Sequence, residues 1–301
     1  MSAPTDPARD VLALARAHQL DLDPGSLVLN EAGLDYRVAT ARARDGAAWV
    51  LRVPRRPDVA SKIDDEAAIL GVVKERLSVA VPDWKIRTSE LIAYPLLPGE
   101  PGLTIDASGE LRWRLDVESR RYATELGALL AELHRIDIDT ARAAGIPVEG
   151  PAEVRARWRS DIDAVAGAFD VARPLLERWT AWLADDGYWP TWSVFTHGEL
   201  YPAHILIDAE DRITGVLDWT TAKVGDPARD FALQQAIASP ATFERTVESY
   251  QAAGGRVPPR LAEHCVELMA AGPVGYGLYA LLTGDPQHRA TASAQLDPRP
   301  A

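Results

Sequence analysis

The stretch that decides the fold is His197–Asp208, which reads HGELYPAHILID, and Gly215–Trp219 follows it as GVLDW. It places His, Glu, His and Asp between short apolar runs. Core packing alone does not explain these intervals, because ionisable side chains are rarely buried unless they are paired or functional. The pattern favours two adjacent loops that carry carboxylates and imidazoles to one site. We therefore take these two stretches as the candidate chemical site.

Composition limits the class of protein and of partner. The chain has 301 residues, 47% apolar and 25% charged, which is typical of soluble globular proteins and long enough for two lobes. A net charge of −12 disfavours nucleic acid and anionic membranes as partners and favours a cationic ligand. The single cysteine, Cys265, excludes an internal disulfide and a cysteine zinc cluster. With no signal sequence and no long apolar run, we expect a cytoplasmic monomer.

The first third of the chain has the pattern of strands and hairpins after one opening helix. Turns at Glu31–Leu34 and Asp45–Gly46 separate three strand-like runs, and Asp-Gly is a strong hairpin signal. In the third run, alternation places Arg52 on the face opposite Trp49. These runs predict an antiparallel sheet.

An amphipathic helix follows this sheet, and we expect Ser61 to be its N-cap. Two more strands then lead to a cluster of prolines and glycines at Pro98–Gly102. We predict the lobe boundary there, with a nucleotide-binding N-terminal lobe over 1–98 that ends in a hinge and a C-terminal lobe over 99–301.

The second lobe is predicted to be mainly helical, so the fold class is α+β. Apolar positions recur near a 3.6-residue period in several segments, and Gly272–Pro273 predicts a kink in the last one. These segments are Arg120–Ile136, Glu153–Phe169, Pro174–Leu183 and Arg260–Leu282.

The motifs resemble those of a known family. HGELYPAHILID and ITGVLDWTTAKVGDPARDFA are similar to the phosphotransferase loops of the aminoglycoside and macrolide kinases. VLRVPRRPDV, VPDWKIRTSELIAYPLLPGEP and AAGPVGYGLYALLTGD also resemble segments of macrolide 2′-phosphotransferases. The resemblance covers nearly the whole chain. It implies a protein-kinase-like two-lobe fold with a small β-rich N-terminal lobe and a larger helical C-terminal lobe.

The resemblance implies catalytic and metal-binding residues. Glu199 stands where the family usually has Asp and is the expected catalytic carboxylate, while His197 of the same motif is expected to brace the loop. His204 and Asp218 match the positions that hold Mg²⁺. Phosphoryl transfer depends on position and charge, so divalent-cation ligands and a carboxylate that takes the acceptor proton suit this chemistry. Because Glu is one methylene longer than Asp, its carboxylate is displaced by about 1 Å, enough to lower the rate unless the backbone compensates.

The resemblance also implies a nucleotide site without a glycine-rich GxGxxG motif. Gly33 is the one glycine of the expected loop over the phosphates, and Arg52 replaces the kinase lysine, with Glu66 as its partner or Asp65 instead. A strand arginine could equally face solvent. The segment from Ile92 through Ala93 to Tyr94 is the expected hinge that reads the purine, with GTP as preferred donor and ATP as a possible one.

The acceptor implied by the resemblance is a macrolide, phosphorylated on the 2′-OH of desosamine, with antibiotic resistance as the result. Tyr201, Tyr276 and Tyr279 are the expected substrate contacts, although two tyrosines three residues apart also fit a core stripe. Asp226 and Asp230 are assigned to turns and loop amides. Two alternatives remain: a kinase of another small molecule, such as an aminoglycoside or amino sugar, and a catalytically silent nucleotide or drug binder, suggested by Glu199.

Overall fold

The computed structural model describes residues 6–31, 33, 35–105 and 109–298. The chain divides into two compact units. The first unit comprises Met1–Asp116, Ala143–Ile146 and Pro202–Thr221, and the second comprises Val117–Arg142, Pro147–Tyr201 and Ala222–Ala301. The first division therefore follows Asp116, later in the chain than the cluster at Pro98–Gly102. The two lobes drawn at residue 98 stay a prediction.

An antiparallel sheet forms the centre of the first unit, as the sequence predicts. Its strand order is β1-β2-β3-β5-β4. Gly46 lies in the connection between β2 and β3 with φ +87°, a conformation that glycine adopts at little cost, so the Asp-Gly hairpin is confirmed. The strands are β1 Val28–Asn30, β2 Tyr36–Arg42, β3 Ala48–Pro54, β4 Ile86–Arg87 and β5 Ile92–Pro95.

Each face of this sheet carries its own apolar cluster. Helix α1, Pro7–Ala17, packs with Leu51 and the partly buried Trp49 on one face. Val50 and Tyr94 belong to the cluster on the other face, to which α2, Pro57–Ala60, and α3, Ile63–Val73, also contribute. Arg52 stacks on Tyr36 of this second cluster. The predicted separation of Arg52 from Trp49 is confirmed.

The start of α3 differs from the prediction. The helix begins at Ile63, and its N-cap, Lys62, makes no side-chain capping bond. Ser61 instead donates its hydroxyl to the carbonyl of Asp58, because it ends the preceding short helix α2. Acidic residues in the first turn of α3, Asp64–Glu66, interact favourably with the helix dipole in place of a capping hydroxyl.

The two candidate metal ligands, His204 and Asp218, flank strands of a three-stranded sheet in the first unit. Its order is β11-β10-β6, and the short hairpin β7-β8 follows β6 along the chain. Gly99, just before β6, has φ +90°, and a Cβ there would lie 2.2 Å from Oγ1 of Thr214, so only glycine fits. The strands are β6 Glu100–Pro101, β7 Leu103–Ile105, β8 Leu111–Trp113, β10 Ile205–Ile207 and β11 Ile213–Val216.

Helices dominate the rest of the chain, which confirms the α+β class. The four helical segments predicted from sequence are present, although the last is two helices, which meet at Ala271 rather than bending at a kink. The strands β9 Val194–Thr196 and β12 Lys223–Gly225 pair with each other. The helices are α4 Arg120–His134, α5 Ile138–Ala143, α6 Pro151–Ala168, α7 Arg173–Ala184, α8 Arg229–Ile237, α9 Pro240–Ala252, α10 Leu261–Ala270, α11 Gly272–Thr283 and α12 Pro286–Leu296.

Close packing of α4 on α9 depends on a glycine. A Cβ added at Gly127 would lie 2.3 Å from the carbonyl oxygen of Thr246 and 2.8 Å from the amide nitrogen of Tyr250. Both are backbone atoms, so no rotamer change could relieve the overlap. The absent side chain therefore allows the two helix backbones to approach each other.

The segment from α10 to α11 is apolar as well as helical. Leu261–Thr283 is long and apolar enough to cross a membrane by length and composition, which core helices of soluble proteins also satisfy. Within the second unit the indole of Trp182 donates to Nδ1 of His264, and that of Trp179 donates to the carbonyl of Ala270. These contacts place one side of the segment against α7.

Candidate active site

The loop that follows β9 is held by one buried carboxylate. Asp230, in the first turn of α8, accepts hydrogen bonds from the amides of His197 at 3.0 Å and Gly198 at 2.7 Å. Burial alone would raise the pKa of Asp230, but the hydrogen bond from His134 and its charge bring that pKa below the usual value. Asp230 therefore stays ionised while it fixes the loop, which confirms its predicted role in binding loop amides.

Asp230 belongs to a buried chain of hydrogen bonds that continues through His134 to Tyr250. Nε2 of His134 lies 3.2 Å from Oδ2 of Asp230, and Nδ1 of His134 lies 2.9 Å from the hydroxyl of Tyr250. His134 ends α4 and Tyr250 belongs to α9. The sequence analysis did not find His134. The sequence signal that could have found it is a histidine at the end of a helical segment whose recurring positions are otherwise mostly apolar.

His197 and Glu199 differ in exposure. His197 is completely buried, and its Nδ1 accepts a hydrogen bond from the amide of Glu199 at 3.3 Å. The Glu199 residue is exposed. A buried imidazole is compatible with the predicted brace at His197, and an exposed carboxylate is compatible with the predicted acid–base role of Glu199, so both roles stay predictions.

The turn after β12 contains a second buried aspartate. Asp226 accepts the Ala228 amide at 2.9 Å, and its Oδ2 lies 2.6 Å from Nε2 of His264. Since Nδ1 of His264 accepts from Trp182, Nε2 carries the proton that it donates to Asp226. The structural role predicted for Asp226 is confirmed.

Two candidate metal ligands lie at neighbouring strand ends of the first unit. His204 precedes β10 and Asp218 follows β11, and the Leu217 amide donates to the His204 carbonyl at 2.8 Å. Nε2 of His204 is 3.6 Å from Oδ2 of Asp218. Asp218 has φ +57°, a left-handed conformation that costs an aspartate on the order of 1 kcal/mol and is typical of functional positions.

The donor atoms of His204 and Asp218 are of the types that bind divalent cations. Two neighbouring ligands of an octahedral divalent cation, each about 2.1 Å from it, lie about 3 Å apart, and a small side-chain rotation would bring this pair to that separation. No group of three or more His, Cys, Asp or Glu that could hold a metal occurs in the part of the chain that the structure describes. The pair therefore fits a cation that keeps water or phosphate oxygens as its other ligands.

The predicted ion pair of Arg52 and Glu66 is present. Nη1 of Arg52 is 2.7 Å from Oε1 of Glu66, so Glu66 and not Asp65 is the partner. Arg52 is 7% exposed and its guanidinium lies 4.0 Å from the ring centroid of Tyr36, which excludes a solvent-facing arginine. Burial would lower the pKa of Arg52, but the Glu66 carboxylate raises it overall, and Asp218 also raises it. Arg52, Glu66 and Asp218 thus belong to one electrostatic group.

The loop expected to cover the phosphates accepts hydrogen bonds from Arg55, the residue that follows β3. Nε of Arg55 donates to the carbonyl of Gly33 at 3.0 Å, and Nη2 donates to the carbonyl of Glu31 at 3.0 Å. A second arginine, Arg37, also pairs with Glu31. Ala32 and Leu34 of the predicted turn lie outside the described residues. Gly33 is therefore placed by contacts of its carbonyl.

The hinge prediction needs correction. Ile92, Ala93 and Tyr94 lie inside β5, which pairs with β3 on one side and β4 on the other. The Ala93 carbonyl, for example, accepts from the amide of Lys85 at 2.9 Å. Because neighbouring strands use the peptide groups of an interior strand, these residues have none left for a purine. Backbone reading of a base would have to begin after Tyr94.

The predicted acceptor-site tyrosines form an aromatic cluster with α12. The hydroxyl of Tyr276 lies 2.9 Å from Nδ1 of His288, and the ring centroids of Tyr279 and His288 are 4.9 Å apart. Both tyrosines are partly exposed and also pack on each other, so the substrate contacts stay a prediction. Tyr201 is half-buried in the loop that follows Glu199.

A mainly apolar cavity of about 510 Å³ opens between α8, α9 and α10. Phe243, Val247 and Leu261 line it together with the carboxylate-bearing Glu244. Its lining includes neither Tyr276 nor Tyr279, so it does not support the predicted substrate contacts.

The profile of the phosphotransferase enzyme family matches residues 29–264. The chain belongs to this family. Its fold is the protein-kinase-like fold of the phosphotransferases, with a β-rich N-terminal part and a mainly helical C-terminal part, as the resemblance implied.

Phosphotransferases with solved structures are similar over almost the whole chain. The macrolide 2′-phosphotransferase MphH from Brachybacterium faecium, solved as the apoenzyme, is 54% identical with a TM-score of 0.91, over 98% of this chain and 99% of that one. A macrolide 2′-phosphotransferase type I is 41% identical with a TM-score of 0.90, over 98% and 99% of the two chains. The uncharacterized protein YcbJ of Bacillus subtilis (strain 168) is 41% identical over 93% of this chain and 92% of its own. The predicted resemblance to macrolide 2′-phosphotransferases is confirmed.

Proposed function

We propose that the protein is a cytoplasmic macrolide kinase that transfers the γ-phosphate of GTP to the 2′-OH of desosamine and thereby confers macrolide resistance. The observation that carries this proposal is the 54% identity with a macrolide 2′-phosphotransferase over 98% of the chain. Identity at this level supports a shared acceptor class, whereas the fold alone would not.

Each candidate residue has a role in this reaction. Glu199 takes or orients the proton of the acceptor hydroxyl, which requires an accessible carboxylate like the one at this exposed position. His204 and Asp218 would hold Mg²⁺, which offsets the negative charge of the phosphates. Arg52, oriented by Glu66, contacts phosphate oxygens, and Gly33 lies in the loop over them.

The proposed acceptor matches the charge of the protein. A macrolide is a large, mostly apolar ring with a protonated dimethylamine, and the net charge of −12 attracts such a cation. Tyr201, Tyr276 and Tyr279 are the proposed contacts, since aromatic rings pack on apolar rings and attract ammonium groups.

The test is mass spectrometry of the purified protein with Mg²⁺, GTP or ATP, and a panel of macrolides with kanamycin as a control acceptor. We expect a monophosphorylated macrolide, formed faster with GTP, and unmodified kanamycin. Phosphorylated kanamycin with unmodified macrolides would overturn the acceptor assignment. Equal or faster transfer from ATP would overturn the donor assignment alone.

One observation favours a second candidate, a binder that does not turn over. Glu199 stands where the family usually has Asp, and its longer side chain displaces the carboxylate. Such a protein would bind GTP and macrolide in calorimetry without forming product, and Glu199→Asp would produce turnover. Product formation by the unmodified protein would exclude this candidate.

A further inference from the structure

The peptide groups on either side of Gly198 are held by two consecutive residues of α8. Asp230 accepts from the Gly198 amide, and the preceding residue, Arg229, donates from Nη2 to the Gly198 carbonyl at 2.8 Å and from Nε at 3.3 Å. Gly198 has φ +86°, so the loop turns at this residue. The carbonyl that Arg229 holds belongs to the peptide bond that leads into Glu199.

Arg229 is the cation of its neighbourhood that hydrogen-bonds to this loop. The nearby cations Arg157 and Lys223 both donate to Glu149 instead. Burial and the charge of Arg157 lower the pKa of Arg229, while the carboxylates of Asp230 and Glu199 act in the opposite direction. An arginine remains protonated under such conditions, so Glu199 has a permanent cation in its surroundings.

We infer that Arg229 is a positioning residue, which fixes the Gly198–Glu199 peptide and so restrains the carboxylate of Glu199. The inference rests on the proposed function, in which Glu199 orients the acceptor hydroxyl. A glutamate has one more rotatable bond than an aspartate, so its carboxylate reaches more positions from a given backbone. Fixing the peptide from which the side chain begins reduces that spread.

The first test is a double-mutant cycle. We expect Arg229→Gln to lower kcat about 10-fold to 100-fold with both KM values changed less than about twofold, because a loss of alignment acts on the chemical step. Arg229→Lys should restore part of the rate, because it keeps the cation but loses the fork. In the Glu199→Asp background the loss caused by Arg229→Gln should be smaller, because the shorter side chain needs less restraint. Arg159→Gln, an exposed arginine on α6, is the matched control.

Equal losses in both backgrounds would overturn the inference, as would a change confined to KM. A loss that Arg229→Lys does not reduce at all would also overturn it.

The second test does not need enzymatic activity. Hydrogen exchange of the peptide that covers residues 196–202 should be about 10-fold faster in Arg229→Gln than in Arg159→Gln, while exchange of α4 and α9 stays unchanged. Unchanged exchange at 196–202 would overturn the inference that Arg229 fixes the Gly198–Glu199 peptide. If the wild-type protein phosphorylates no macrolide, the proposed function fails, and the exchange result still decides the role of Arg229.

Discussion

The imidazole of His134 and the carboxylate of Asp230 lie 3.2 Å apart, in side chains that are 3% and 0% exposed. This contact joins the end of α4 to the aspartate that holds the loop after β9. A buried carboxylate requires partners, since leaving one unsatisfied costs more than the hydrogen bond itself contributes.

Replacing His134 should therefore destabilise the protein as well as the loop. We expect His134→Leu to lower the free energy of unfolding by about 2 kcal/mol, from the loss of a hydrogen bond to a charged group, as measured by urea denaturation. Tyr250→Phe, which removes only a hydroxyl at the other ring nitrogen, should cost about 1 kcal/mol. A larger loss in Tyr250→Phe than in His134→Leu would contradict this ranking.

Acid should weaken the same contact. The folded-state pKa of Asp230 lies below its unfolded value of about 3.9, so its contribution to stability is complete above about pH 5 and is lost as pH falls through the folded pKa. The difference in melting temperature between wild type and Asp230→Asn should therefore shrink from pH 6 to pH 3. A difference that grows on acidification would show that the pKa is raised.

Breaking the Arg52–Glu66 pair should affect the nucleotide rather than the acceptor. We expect Glu66→Gln to raise the KM for GTP about 10-fold, because Arg52 loses the carboxylate that orients it, and to leave the KM for macrolide within about twofold. Steady-state kinetics with each substrate varied in turn measures both values. Asp65→Asn is the matched control, because Asp65 is the neighbouring carboxylate that Arg52 does not contact. An equal effect in both variants would indicate a general change in charge.

The proposed role of His204 as a metal ligand predicts an effect on metal preference. Imidazole suits Mn²⁺ better than it suits Mg²⁺, which prefers oxygen, so His204→Asn should raise the metal concentration required for half-maximal rate more with Mn²⁺ than with Mg²⁺. His204→Leu should reduce activity with both ions. Titration of each ion into the metal-free protein checks this. Unchanged titrations in His204→Leu would remove His204 from the site.

The sequence predicted best where chemistry or turn geometry constrains the residue type. Asp45–Gly46 marks a hairpin, and Asp230 was expected to bind loop amides from its place before an apolar helical run. The pair of Arg52 and Glu66 was implied by the resemblance to the kinases, with Asp65 as the alternative, and the structure decides for Glu66.

The predictions that failed depend on information from other parts of the chain. Helix α9 was missed because two of its buried residues, Thr242 and Thr246, are polar and obscure its apolar period. Helix α12 buries only Ala292 and Leu296, which give a weak signal. The hinge was misplaced because alternation does not tell whether a strand such as β5 lies inside a sheet.

The glycine at the crossing of α4 and α9 has a consequence for heat sensitivity. A methyl group at Gly127 would overlap the backbone of α9, so Gly127→Ala would push apart the helices that carry His134 and Tyr250. We expect such a chain to fold at low temperature and to lose the contact between His134 and Asp230 at a lower temperature than the wild type does. A strain that owes macrolide resistance to this protein, as proposed above, would with that single change resist the macrolide in the cold and become susceptible when warmed.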